Sequence, residues 1–237
     1  MSRTSGFASV SGAVLIGVAA WLAGCSATIP EKPVETPKVT GFLGTTYDKL
    51  QPGDEGQAAL RYVASDVDWK QYKALLLEPV QFWAGDDSKV EPETQQMLTT
   101  YFYNAIKADL TKHHFKLVDL PGPGVIRVQI AITDVTTAVP VLRTVSVIVP
   151  QARILNQAQS LISGKYAFSG SAEVALKATD SQTGQILAAA IDRRAGGGSV
   201  TQAAQWQWGD AKAAMDFWAE RFTQRLAELQ QKKVGSK

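Results

Sequence analysis

Hydrophobic and polar positions change period several times along the chain, and each change predicts an element. Ala74-Leu75-Leu76-Leu77 is a short continuous apolar run, the pattern of a buried central strand. Pro79 lacks a backbone donor, so that ladder ends near Glu78. Pro92, between Glu91 and Glu93, suits a first helical turn, where carboxylates favour the positive end of the helix dipole. Leu98, Tyr101, Phe102, Ala105, Ile106 and Leu110 then recur at three- and four-residue steps and predict one apolar helix face. His113 and His114 close that helix. Phe115 to Val118 read as a strand, and Pro121-Gly122-Pro123-Gly124 as a turn.

From Val125 the period becomes two. Ile126, Val128, Ile130 and Ile132 face one way, and Arg127, Gln129 and Thr133 the other, which predicts a strand with one wet face. Tyr166, Phe168, Ala172, Val174 and Leu176 repeat the alternation against Ser169, Ser171, Glu173 and Lys177. That strand runs into the hairpin turn Asp180-Ser181-Gln182-Thr183-Gly184, and Ile186 to Ile191 return beside it. After Gly196-Gly197-Gly198 a terminal helix begins near Gln207, with Trp208, Ala211, Met215, Trp218, Phe222, Leu226 and Leu229 at helical spacing. Such an aromatic stripe is the core face of a helix lying on a sheet. Gly41 to Trp69 shows no period; Phe42, Leu43, Tyr47 and Leu50 pin it to the domain surface. Strand, helix, several strands and helix together predict an α+β fold: a two-layer α/β sandwich with a mostly antiparallel mixed sheet, two main helices on one face and a partly exposed opposite face.

Two segments stand outside this pattern. Val141 to Val149 is β-branched and apolar between Pro140 and Pro150, and Ile154, Leu155, Ala158, Leu161 and Ile162 follow as a helical stripe. As an excursion this stripe covers its own domain; as a surface, Ile154, Leu155, Leu161 and Ile162 would meet a partner or a membrane. The other segment is the beginning of the sequence. Arg3 gives a positive n-region, Val10 to Ala23 an apolar h-region too short for an ordinary membrane span, and Leu22-Ala23-Gly24-Cys25 a small-residue boundary. This resembles the lipobox of bacterial lipoproteins, whose signal peptide is cut between the positions held here by Gly24 and Cys25, with the cysteine then lipidated. The resemblance implies a membrane anchor of two or three acyl chains, enough for stable attachment. Ser26, in place of the aspartate that retains enteric lipoproteins at the inner membrane, implies the outer membrane and a periplasm-facing domain. The expected organisation is therefore a signal peptide over 1–24, a lipid anchor and Pro-rich tether over 25–40, and a single domain over 41–237. Pro30, Pro33 and Pro37 favour extended chain, and at ~3.1 Å per residue the tether would hold the domain up to about 45 Å from the bilayer.

Composition narrows the function. The formal charge is +2 over 237 residues, which offers no polybasic field for nucleic acid. Cys25 is the only cysteine, so no disulfide forms within the chain and the core alone stabilises the domain. The two histidines are adjacent on a helix, about 100° apart, and do not make a zinc-helix pair. No metal, cofactor or catalytic residue is expected. No G-x-S-x-G elbow occurs, and a hydrolase would have to bring Asp134, Asp180 and Asp192 together, although turns and strand ends are their plainer use.

The order of several short motifs resembles one bacterial lipoprotein family, the domain of unknown function 3313 (DUF3313). They are Gly41-Phe42-Leu43 with Tyr47-Asp48-Lys49-Leu50, Leu60-Arg61-Tyr62, Leu77-Glu78-Pro79-Val80, Pro121-Gly122-Pro123-Gly124-Val125, and Asp180-Ser181-Gln182-Thr183-Gly184 leading to Asp192-Arg193-Arg194. The resemblance implies an envelope lipoprotein and carries no catalytic residue with it. The expected function is a lipid-anchored, non-catalytic interaction or assembly module with an envelope protein as partner. The alternative is a small-ligand or lipid carrier, with a wall or glycan hydrolase behind it.

Overall fold

The computed structural model describes residues 28–33, 41–83, 90–136, 170–196 and 208–231. Three long antiparallel strands form the centre of one mixed sheet: β7 (Val125–Thr136), β8 (Ser171–Asp180) and β9 (Ile186–Gly196). Short strands build its edges. On one side β1 (Thr28–Glu31) and β3 (Leu60–Val63) lie end to end along β9, and β2 (Gln51–Pro52) pairs with β3. On the other side β4 (Ala74–Leu77) and β5 (Gln81–Phe82) share the edge of β7 in parallel, and β6 (Lys116–Leu117) flanks β4. Helices α1 (Pro92–Lys112) and α2 (Gly209–Gln231) lie side by side on one face. This is the α+β architecture that the periodicities predict.

The two-residue alternation decides which face each strand residue serves. Ile126, Val128, Ile130 and Ile132 of β7, with Ala172, Val174 and Ala178 of β8, meet Leu98, Phe102, Ile106 and Leu110 of α1 and Met215 and Trp218 of α2. Phe102 is 2 % exposed and its ring lies 6.0 Å from that of Trp218, so the two helices lock together over the sheet. At the outer edge of the same seam the Tyr101 hydroxyl donates to both carboxylate oxygens of Asp216 at 2.9 Å. α1 ends where His114 turns left-handed at φ 62°, and the Phe115 amide donates back to the Leu110 carbonyl. His113 and His114 are exposed there, and His113 meets Asp109.

Two features refine the picture drawn from the sequence. The opposite sheet face is closed in its middle: Phe42 and Leu43, just before a 3-10 helix over Gly44–Lys49, bury Ala131, Ala175, Ala189 and Ile191. Apolar residues in an aperiodic segment thus cap the sheet. Residues 28–31, read as part of an extended tether, instead form β1, paired Thr28 to Gly196 through Glu31 to Arg193. Without β1 the edge of β9 beyond β3 would leave its backbone groups unpaired, and an extended segment satisfies them.

Candidate functional site

Between the sheet and the second half of α2 lies a cavity of about 500 Å³. Its origin is a mismatch of side-chain size. β8 and β9 place Ala178 opposite Ala188 and Leu176 opposite Ala190, so the sheet floor here is largely methyl groups. Ile126 and Ile130 of β7, Phe102 and Ile106 of α1, and Phe222, Leu226 and Leu229 of α2 form the remaining walls. A sealed, dry void of this volume would cost about 12 kcal/mol at roughly 24 cal/mol per Å³, as much as a whole domain's stability of about 5–15 kcal/mol. This cavity opens to solvent instead, beside exposed Asp54, Gly56 and Glu228. Its volume and its apolar walls with a polar mouth are those of a small-molecule site.

The mouth is a built structure. The β2–β3 loop is drawn tight by Gly53, whose amide donates to the Ala59 carbonyl at 3.1 Å. A Cβ on Gly53 would lie 2.0 Å from the Ala58 carbonyl oxygen, so only glycine fits. Gln57 closes the loop from within: it accepts from the Asp54 amide at 3.2 Å and donates to the Asp54 carboxylate at 3.3 Å. Arg61 Nη1 donates to Gln57 Oε1. From α2, Arg225 donates to the Gly56 carbonyl at 3.3 Å and pairs with Glu228 at 2.6 Å, and Arg221 reaches toward the same loop. Arg221 otherwise meets Gln224 at 3.3 Å and lies 5.6 Å from the centre of the Phe217 ring. Among the described residues, neither Arg61 nor Arg221 has a carboxylate partner.

Asp192 joins loop, sheet and helix at the cavity wall. It is 6 % exposed and accepts from the Ala59 amide at 3.0 Å and from the Trp218 indole at 2.7 Å, with Arg194 Nη1 at 3.7 Å. Burial pushes its carboxyl above the usual aspartate range, against the pull of these donors. Its neighbour Arg193 points to the opposite face, as strand alternation requires. There it meets Glu31 at 3.2 Å, Asp134 at 2.6 Å and Glu173 at 3.7 Å, tying β1, β7, β8 and β9 together.

The three carboxylates singled out by sequence do not converge. Asp134 and Asp192 lie on opposite faces of the sheet, and Asp180 sits at the far end of β8 in its turn. Asp180 accepts from the Gln182 and Thr183 amides and from the Tyr72 hydroxyl, and the Thr183 amide leads in holding its carboxyl below the usual range. Among the described residues no group of three or more His, Cys, Asp or Glu is placed to hold a metal, and no helix is long and apolar enough to cross a membrane. Gly24, Cys25, Ile154, Leu155, Leu161 and Ile162 lie outside the described residues. The aromatic stripe of α2 is core, as its spacing predicts, yet Trp218, Phe222 and Leu229 also wall the cavity. No periodicity in the sequence marks the cavity itself.

Comparisons with solved structures find remote likenesses. A PelC dodecamer from Paraburkholderia phytofirmans is 7 % identical, with 73 % of this chain and 96 % of that one covered at a TM-score of 0.36. A Helicobacter pylori protein described as a homologue of neuraminyllactose-binding hemagglutinin is 11 % identical, with 78 % and 94 % covered at 0.34. Hypothetical protein CT253 from Chlamydia trachomatis is 12 % identical, with 65 % and 93 % covered at 0.33. No curated protein matches the chain in sequence. The family profile described as "Protein of unknown function (DUF3313)" matches residues 38–222, and the chain belongs to that family.

Proposed function

We propose that this protein is a lipid-anchored lipoprotein of the outer membrane, facing the periplasm, that works by binding and not by catalysis. The anchor reading rests on the lipobox ending at Cys25. The binding reading rests on one observation: the sheet, α2 and a glycine-tightened loop enclose an apolar, open cavity, while the acidic residues that a hydrolase would need are separated and engaged in structural contacts. Of the two binding classes, contact with an envelope protein and carriage of a small ligand, the cavity favours the second.

The register of β1 changes how the anchor would act. Cys25 stands three residues before Thr28, and three steps of extended chain reach only about 10 Å. Lipid on Cys25 would therefore hold the sheet end at Thr28 and Gly196 close to the bilayer. Cys25→Ser is expected to abolish palmitate incorporation and release or mislocalise the protein; labelled mutant would contradict the anchor. Native mass spectrometry of the mature, lipidated chain is expected to show a non-covalent adduct above the acylated mass. A clean acylated mass alone would contradict ligand carriage.

A further inference from the structure

The cavity's chemistry specifies more than an apolar ligand. Its depth is hydrocarbon: Ala178, Ala188 and Ala190 form the floor, with Phe222 and Leu229 above. Its inner carboxylate, Asp192, is already engaged by the Ala59 amide, the Trp218 indole and Arg194, so the deep wall offers little to a polar ligand group. The mouth is the reverse. Three guanidinium groups, Arg61, Arg221 and Arg225, stand there against two carboxylates, Asp54 and Glu228. Arg225 is paired with Glu228, whereas Arg61 and Arg221 meet the side-chain amides of Gln57 and Gln224 and, among the described residues, no carboxylate. Two cations on opposite lips, one from β3 and one from α2, are thus held beside the opening with neutral partners. A planar fork of donors in that setting fits an oxyanion.

We infer that the cavity binds an anionic amphiphile with a single apolar chain, its tail on the alanine floor and its head between Arg61 and Arg221. A fatty-acid carboxylate and the phosphate of a single-chain phospholipid share this chemistry. The inference rests on the ligand-carrier reading above and adds charge and shape to it. A single chain suits a cavity of about 500 Å³, in the lower half of the range for small-molecule sites.

The test uses the mature, lipidated protein in its native membranes. A dodecanoate bearing a photoreactive diazirine is cross-linked, and adducts are mapped by mass spectrometry. Dodecanoate, lysophosphatidylglycerol and 1-dodecanol serve as competitors below their aggregation limits. Adducts are expected on peptides carrying Ala188 to Ala190 and Phe222 to Leu229, with 1-dodecanol competing about tenfold more weakly than the better anionic compound, the order expected for losing charge-assisted contacts. Whichever anion competes better identifies the headgroup. Arg61→Gln with Arg221→Gln should lower the yield about tenfold without changing the melting temperature by more than a few degrees. Ala190→Leu, which puts three carbons into the floor, should abolish the adduct while the protein stays as stable as the parent or more so. Equal competition by 1-dodecanol, or an unchanged yield in the arginine variant, overturns the anionic inference and leaves apolar carriage standing. Adducts scattered over the surface and indifferent to Ala190→Leu overturn both.

Discussion

Replacing Asp192 by alanine tests whether the joint beside the cavity holds the domain together as its geometry implies. The carboxylate accepts from two donors on different elements, the Ala59 amide at 3.0 Å and the Trp218 indole at 2.7 Å. Losing it orphans both. A buried donor without a partner costs about 1–3 kcal/mol, which gives roughly 2–6 kcal/mol for the pair. Part of this is offset, because the variant no longer buries a charge whose desolvation raises its pKa. A net loss of about 3 kcal/mol remains, equivalent to a fall of about 6–12 °C in Tm for a domain of this size. Asp192→Asn keeps one acceptor and should lose about half as much. The sign with pH is specific. A raised carboxyl pKa favours the protonated folded state, so the contribution of Asp192 is fullest below its unfolded value of about 3.9 and fades as pH rises through the folded value. Urea titrations across that range should show the gap between parent and Asp192→Asn widest in acid. A loss under about 1 kcal/mol for the alanine variant, or a gap that widens as pH rises, would refute this account of the joint.

Other expectations are shorter. Arg193→Ala removes the guanidinium that faces Glu31, Asp134 and the 1 % exposed Glu173, and should cost about 3–5 kcal/mol and speed amide exchange in Thr28–Glu31 most; protection there equal to the parent would contradict the clamp on β1. Phe102→Ala should lose about 3–5 kcal/mol in urea unfolding, and a loss near 1 kcal/mol would contradict the packed seam between the helices. Gly53→Ala, with its clash at 2.0 Å, should destabilise by about 1–3 kcal/mol and weaken cavity binding together, whereas binding unaffected by it would separate the loop from the mouth. Burial, with Asp216 and Asp180 as partners, pushes Tyr101 and Tyr72 up to about 12, so a spectrophotometric titration should show two tyrosines ionising well above the usual value of about 10, one of them lost in Tyr101→Phe and one in Tyr72→Phe. Their preference for the neutral form stabilises the fold below the unfolded value of about 10 and is lost as pH rises toward 12.

The parts of the fold legible in sequence were those with a sustained period. Leu98, Phe102, Ile106 and Leu110 declare the face of α1, and the alternation from Ile126 to Ile132 declares both faces of β7. The edges were illegible for a physical reason. β1, β2 and β5 are two to four residues long and are strands only because a longer neighbour supplies backbone partners. Thr28-Ile29-Pro30-Glu31, beside a proline-rich stretch, reads as extended chain with no sign of what it pairs with. Phe42 and Leu43 are apolar residues in a segment without a period, so the sequence pins them to the domain without telling which sheet face they close.

The cavity posed a harder problem. Periodicity tells which residues share a face, but not whether opposed side chains fill the space between them. The available signal was the run Leu187-Ala188-Ala189-Ala190, small residues on a strand opposite a helix rich in aromatics. The mouth combines Asp54 to Arg61 with Arg221 and Arg225, elements far apart in sequence that only the register of β3 on β9 brings together. The run Asp192-Arg193-Arg194 drew attention as a motif. Strand alternation divides it between two faces, and that division explains why it joins so many elements.

The most direct test of the central claim is a crystal structure of the protein grown with a bromine-tagged dodecanoate and measured at the bromine edge. The account predicts one anomalous peak inside the cavity, between Ala190 and Phe222, with the carboxylate within hydrogen-bonding reach of Arg61 and Arg221. A cavity holding only ordered water, or a peak elsewhere on the surface, would contradict it.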